Sequence, residues 1–385
     1  MRRTCGVLIC ALLAYGVGCD GDEPARDGGA DAAVATDGGV RADAAIADAG
    51  PDFDAAGTDA GGPSDGGSDV DAGPGETGLR VDGRRLLRDG APLRIQGVCW
   101  SPVAVGASIP PDFGAFAATD IPLMAAAGIN AVRTYEPIRD RAVLDALHAA
   151  GIAVLQMVYA YGGADPSTGL DVVRDLRDHP AIVMWVLGNE WNYNGLYVGL
   201  PFDQSRDRLQ ALAAQIHELD PSRPVASVYG ELPSAETLAA MPDIDVWGLN
   251  IYRGIGFGDL FDRWRDLSTK PMFVAEYGAD AWDARTAEAN PTAQADATRA
   301  LTQALIDNNV ADHADGVVLG GTIFEWADEW WKDGAGSPSV HDIGGVAPGG
   351  GPHPDGVFNE EWWGIVEIDR TPRPAYEALR ALYGG

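Results

Sequence analysis

From residue 93 onward, short apolar runs alternate with longer segments in which apolar residues recur at helical spacing. The runs are residues 94–99, 130–134, 153–158, 182–187, 225–229, 245–250, 272–275 and 317–324. Each is strand-sized, bounded by turn residues and rich in Val, Ile and aromatic side chains. Between them, residues 139–150 place Val143, Leu144 and Leu147 on one side, and residues 205–219 do the same with Leu209, Leu212 and Ile216. Ala127-Gly128-Ile129 and Ala150-Gly151-Ile152 repeat one helix-stopping turn, in which glycine takes the left-handed position after the last helical residue. Eight strands alternating with helices predict an α/β fold. The expectation is a (β/α)8 TIM barrel over residues 79–385, with an open doubly wound sheet as the alternative. No glycine-rich dinucleotide or P-loop fingerprint follows any run, so the sheet lacks its usual rationale.

Before residue 79 the periodicity disappears. Residues 19–78 are Asp, Gly and Ala with scattered Pro, Ser and Thr, and Phe53 is their one aromatic residue. From residue 20 on they hold thirteen Asp and two Glu against two Arg, a net of −13 within the chain total of −30. So little apolar surface cannot offset chain entropy, and the predicted state is a disordered, self-repelling acidic linker. Residues 1–18 read as a signal peptide: Arg2 and Arg3 precede an apolar run from Val7 to Tyr15 that is too short to span a bilayer. The run ends Gly16-Val17-Gly18-Cys19, and a cysteine after small residues resembles a lipobox. The expectation is an exported protein lipidated at Cys19 and touching the membrane only through that anchor. Ordinary secretion is the alternative. Cys99, inside an apolar strand, is the one cysteine left in the folded part, so no internal disulfide is expected.

In a barrel of this kind the C-terminal ends of the strands face the site. They carry Arg133, Tyr135 and Glu136 after strand two, Tyr159 and Tyr161 after strand three, and Asn189 and Glu190 after strand four. Asn250 and Tyr252 follow strand six, Glu276 and Tyr277 strand seven, and Glu325 and Trp326 strand eight. Strands four and seven lie across the mouth, so Glu190 and Glu276 are expected to face one another. Two opposed carboxylates are the minimum machinery for cleaving an acetal, one as acid and one as nucleophile or base. A nucleophile must stay ionised, which suits a neighbouring Arg133 and a hydrogen bond from Tyr252. An acid must stay protonated and needs a drier place, for which Trp191 is a candidate neighbour. Asn189 is suited to a sugar hydroxyl. Glu325 is the rival nucleophile, and Trp326 beside it points instead to a sugar platform with Glu325 structural or substrate-binding.

The six histidines form no His-x-His pair or His-Glu-x-x-His helix, so no metal or other cofactor is expected. The acidic balance disfavours a nucleic-acid partner and suits neutral better than acidic glycans. After the last strand a long connection, residues 327–373, carries Trp330, Trp331, Trp362 and Trp363, read either as a glycan-binding cleft or as a small loop core.

These motifs resemble the clan A glycoside hydrolases, especially the family 2 barrel domain and more loosely family 5 and the fungal glucanosyltransferases. The likeness rests on Gln96-Gly97-Val98 with Ser101, on residues 129–133, on the run from Met184 to Gly188-Asn189-Glu190, on Ala275-Glu276-Tyr277-Gly278 and on Glu325-Trp326, in the clan's usual order. It implies Glu190 as acid/base, Glu276 as nucleophile, Asn189 as the 2-hydroxyl contact and Trp326 as platform. Tyr159 stands where the family suggests histidine, and it is expected to line the substrate site together with Arg133, Asn189, Tyr252, Trp326 and Glu325. The resulting expectation is a monomeric retaining β-glycosidase acting on extracellular polysaccharide or oligosaccharide of β-glucan or β-mannan type. A cell-surface transglycosylase and a catalytically silent carbohydrate-binding barrel are the alternatives.

Overall fold

The computed structural model describes residues 78–332, 337–343, 346–348 and 353–384. The signal peptide, Cys19 and all but the last residue of the acidic linker lie outside the described residues. Eight parallel strands close into a barrel: β1 Ile95–Cys99, β2 Ala131–Arg133, β3 Ala153–Tyr159, β4 Ile182–Leu187, β5 Val225–Gly230, β6 Val246–Asn250, β7 Met272–Tyr277 and β8 Val318–Ile323. Every neighbouring pair is parallel and β8 returns to β1, so the open-sheet alternative is excluded. Each strand is followed by a helix: α1 Phe113–Ala126, α2 Arg141–Ala149, α3 Ser167–Leu176, α4 Phe202–Leu219, α5 Ala235–Ala240, α6 Leu260–Leu267, α7 Pro291–Asp307 and α8 Pro374–Tyr383. Helix starts follow local chemistry. Asp140 caps α2 through the amide of Ala142 at 2.9 Å, and Asn290 caps α7 through Ala293, ahead of a proline in the first turn.

Strand alternation sorts the core into two layers. Ala131, Leu155, Met157, Val186, Ala226 and Phe273 fill the barrel interior, while Val132, Val154, Trp185, Leu187, Leu249 and Val274 join the layer under the helices. Two departures from alternation matter for the site. Pairing shifts register between Met157 and Tyr159 of β3 and again after Val274 of β7. An extra residue in one strand turns the side chains beyond it to the other face. At β3 the shift leaves Tyr159 in the outer layer, beside Val158. At β7 it leaves Tyr277 there, in hydrogen-bond contact with Thr302 at 3.1 Å and Tyr383 at 3.4 Å, and frees Glu276 for the mouth.

One element has no counterpart among those the sequence pattern predicts. Strands Leu79–Asp82, Arg85–Arg88 and Ala91–Pro92 form a small antiparallel sheet, too short and too charged to stand out by periodicity. Leu86 is fully buried with the barrel-interior residues, and Arg84 donates to the carbonyls of Arg265 and Ser268 at 2.8 and 2.7 Å. The sheet therefore closes the end of the barrel where the strands begin. Among the described residues no helix is long and apolar enough to cross a membrane.

Candidate active site

At the opposite end, Arg133 is the hub. It is the last residue of β2, shares the inward parity of Ala131 and has no exposed surface. Its Nη1 donates to Glu276 Oε1 at 2.7 Å and to the Ala275 carbonyl at 3.0 Å, and its Nη2 donates to Asn189 Oδ1 at 2.6 Å. One guanidinium thus ties the end of β4 to the end of β7. Two phenols complete the Glu276 shell: Tyr135 donates to Oε1 at 2.8 Å and Tyr252 to Oε2 at 2.9 Å. Burial pushes both phenols well above their ordinary range, so each keeps the proton it donates. Glu276 is left as an acceptor of three hydrogen bonds, which orient it rigidly. Cys99 lies beneath, its Sγ 3.4 Å from the Ala275 carbonyl, and burial raises its thiol, so it remains a small neutral packing residue.

Glu190 occupies a different environment. The chain turns sharply after β4: Gly188 has φ +69°, and a Cβ there would come within 2.7 Å of Trp191. Glu190 itself has φ 46° and ψ 34°, a left-handed conformation that is uncommon outside glycine and is often found at functional positions. The turn is pinned by the Glu190 amide on the Val228 carbonyl at 3.1 Å and by Asn194 Nδ2 on the Asn189 carbonyl at 2.7 Å. Burial, reinforced by the charge of Glu276, pushes the Glu190 carboxyl up to about 7, while a hydrogen bond from Asn250 and the charge of Arg133 oppose the shift. Asn189 is held on both sides: its oxygen accepts from Arg133 and from Asn250 Nδ2 at 3.3 Å, and its nitrogen donates to Tyr197 at 2.8 Å. Asn250 Oδ1 is buried without a hydrogen-bond partner, an acceptor left over beside the two glutamates.

The wall supplied by β8 and its long connection is aromatic and acidic. Phe324, Trp363 and Phe358 pack with Tyr135 and Tyr252, Trp363 lying 5.3 Å from Tyr252 and 5.2 Å from Phe324. Behind Phe324, Lys332 pairs with Glu329 at 2.8 Å and Glu360 at 3.5 Å, its Nζ 4.9 Å from the centre of the Phe324 ring. Glu325 is buried in the same cluster, and burial together with Glu329 pushes its carboxyl well above the usual range. It is a structural member of the wall, with Oε1 unpartnered.

Three sequence expectations are corrected. Trp326 is 1% exposed and packs edge-on against Tyr376 of α8 at 6.3 Å, so it cannot offer a face to a sugar. Phe324, two residues earlier, is the aromatic side chain that borders the Glu276 shell. Tyr159 is buried under the helices, donating to the Ala164 carbonyl at 3.3 Å and accepting from Arg208 at 3.2 Å, because of the register shift in β3. Trp191 belongs to the helical layer as well, bonded to Ser227 at 3.0 Å and packed on Phe202 and Tyr229, and it is not the dry neighbour of Glu190. The loop tryptophans split: Trp363 is core, while Trp362 stacks on His341 at 3.7 Å and Trp330 stacks on the same ring at 5.1 Å. Sequence reading placed Tyr135 and Asn250 at strand ends but gave them no role. For Tyr135 the signal was its spacing, two residues beyond an inward-facing arginine.

Comparison with known proteins bears on the same segment. Residues 169–328, which include both glutamates, match the domain described as "Glycosyl hydrolases family 2, TIM barrel domain". Pig β-glucuronidase is 26% identical over 185 residues, which is 42% of this chain and 27% of that protein; human β-glucuronidase is 32% identical over 122 residues, 29% and 17% respectively. The chain thus spans little more than a quarter of the curated relatives it matches. Among solved structures, a family 2 β-galacturonidase from Eisenbergiella tayi bound to galacturonate superposes with TM-score 0.56 at 21% identity, covering 80% of this chain and 54% of that one. A Bacteroides uniformis β-glucuronidase superposes at 0.58 and 20%, covering 79% and 37%. At such identities the structural likeness establishes the fold, a TIM barrel, and residues 169–328 are what is similar to the TIM barrel domain of the family 2 glycoside hydrolases.

Proposed function

We propose that the barrel is a retaining β-glycosidase in which Glu276 is the nucleophile and Glu190 the acid/base. The observation that carries the proposal is the contrast between the two carboxyls. One is fixed as a bare acceptor by Arg133, Tyr135 and Tyr252, and the other is pushed up to about 7, so that it holds a proton near neutrality. In the first step Glu276 forms a bond to the anomeric carbon while the bond to the leaving oxygen breaks and Glu190 gives that oxygen its proton. In the second, Glu190 takes a proton from water, whose oxygen displaces Glu276 from the anomeric carbon with net retention. A sugar hydroxyl in place of water makes the same site a transglycosylase. A silent binding barrel has no use for a carboxyl poised to donate a proton.

The substrate reading follows from charge. Arg133 is committed to Glu276, and Lys332, the cation of the wall behind Phe324, faces Glu325, Glu329 and Glu360. The charge of Glu360 is felt at Glu190, which puts a negative field within reach of the reacting sugar. A uronate carboxylate brought there meets like charge, at a cost of ~1–4 kcal/mol for a close pair in a partly wet site. We therefore assign a neutral sugar of the glucan or mannan type, although the relatives are β-glucuronidases and a β-galacturonidase. Incubation with aryl β-glucoside, β-mannoside, β-galactoside and β-glucuronide, and with the corresponding polysaccharides, tests this. Turnover confined to the glucuronide overturns the substrate assignment, and no turnover on any arm favours the binding barrel. Export with lipidation at Cys19 would put this activity at the cell envelope. Release of a Cys19→Ala variant from the membrane fraction checks it.

A further inference from the structure

The one-turn helix Trp191–Asn194 that follows Glu190 bears a side chain that the two-glutamate chemistry does not use. Tyr193 is 64% exposed, the most open large apolar side chain among the described residues. It is nevertheless well placed. Its amide donates to the Glu190 carbonyl at 2.8 Å, which sets it one helical turn beyond the acid/base. Next to it, Asn192 grips the end of β5 with both ends of its amide, donating to the Gly230 carbonyl at 3.0 Å and accepting from the Gly230 amide at 2.8 Å. The ring lies directly on that glycine: a Cβ on Gly230 would overlap Tyr193 Cδ2 and Cε2. Beside it Glu231 is held by Arg253, with Nε to Oε1 at 2.9 Å. The Glu190 and Glu231 charges both bear on the Tyr193 hydroxyl, in keeping with a phenol that stands near the acid/base.

Glu190 gives its proton to the oxygen that departs with the leaving group. An aromatic ring just beyond Glu190, backed by bare backbone and otherwise open, therefore faces the side from which that group leaves and an acceptor enters. Pyranose rings present an apolar C–H face that stacks on aromatic rings, and tyrosine adds a polar rim. Resting on the assignment of Glu190 as acid/base, we propose that Tyr193 is the platform for the sugar on the leaving-group side of the cut bond, and for the acceptor sugar when transfer replaces hydrolysis. The absence of a side chain at Gly230 is what lets the ring lie there.

The test compares a substrate that has a sugar on that side with one that does not: cellobiose against β-glucosyl fluoride, or the matching pair for whichever neutral sugar is turned over. Tyr193→Ala should lower the ratio of kcat/KM on the disaccharide to kcat/KM on the fluoride by about 3- to 10-fold, the range expected for one lost ring contact. Tyr193→Phe should hold the ratio, and Gly230→Ala, which displaces the ring without removing it, should lower it as the alanine variant does. An unchanged ratio in Tyr193→Ala, or an equal fall on both substrates, overturns the platform while leaving the glycosidase reading intact. No turnover of the fluoride by the unmodified protein rejects the glycosidase reading and the platform with it.

Discussion

Glu276 and Glu190 are the same side chain at two strand ends across one barrel mouth, and the molecule gives them opposite characters. At β7 the carboxyl is surrounded by donors: a guanidinium and two phenols meet its two oxygens. At β4 burial and the nearby charge of Glu276 dominate, and Asn250 and Arg133 only partly offset them. Arg133 belongs mainly to one of the two: it bonds Glu276 directly and reaches the β4 end through Asn189. What separates the two carboxyls in this barrel is the allocation of donors, and depth alone does not decide it. Glu276 is itself buried, so the difference lies in who faces it.

Removing the carboxyl at β7 should break the contrast most completely. Glu276→Gly is expected to lose turnover by on the order of 10^4-fold or more, as for other covalent nucleophiles. Added azide should restore reaction and give a glycosyl azide of inverted configuration, while Glu190→Ala with azide should give the retained one. Product configuration by NMR checks both, and unimpaired turnover in either variant contradicts the division into nucleophile and acid/base.

Glu190→Gln should cost less on activated leaving groups and on the order of 10^2- to 10^4-fold on poor ones. In the unmodified protein, kcat should fall as pH rises through about 7, because the acid form is then lost, and this limb should vanish in the glutamine variant. The same shift has a stability sign. The folded chain keeps a proton on Glu190 that the unfolded chain releases above about 4.5, so this contribution is complete below that pH and is lost as pH rises through about 7. Thermal unfolding followed from pH 4 to 8 should therefore decline less steeply in Glu190→Gln, by at most on the order of 3 kcal/mol.

Thinning the donor shell sharpens the comparison. Tyr135→Phe and Tyr252→Phe each remove one hydrogen bond to Glu276, worth about 1–3 kcal/mol to a charged acceptor, and should lower kcat about 10- to 100-fold with KM little changed. The smallest effects test the reassigned residues. Tyr159→Phe should cost about 1 kcal/mol of stability, measured by denaturant unfolding, and leave kcat/KM intact, because its hydroxyl serves only Ala164 and Arg208. A marked rise in KM in that variant would return Tyr159 to the substrate.

The eight strands and the order of their functional ends were legible because a parallel barrel writes itself as repeated apolar runs and glycine-stopped helices. Asn189, Glu190, Arg133 and Glu276 stood out because each follows such a run. The wall after β8 was less legible. Phe324 and Trp326 are both aromatic and two residues apart, yet Phe324 borders the Glu276 shell and Trp326 is sealed against α8. Nothing local distinguishes them, since chain direction at a strand end depends on what the following loop packs against. The sheet over residues 79–92 is unmarked in the sequence for a similar reason: its value lies in Leu86 plugging the barrel, a contact distant in sequence.

By itself, then, the sequence determined the repeat, the helix boundaries set by caps and glycines, the acidic character, and which two carboxylates end strands four and seven. Only the tertiary structure decided which way they point. By strict alternation Glu276 would share the outward parity of Val274, and Tyr159 the inward parity of Met157. A register shift in each strand reverses both, bringing the glutamate into the mouth and burying the tyrosine under the helices. Parity within a strand is a local property that sequence displays. A bulge is imposed by the neighbouring strands that must close the barrel, and those partners come together only on folding.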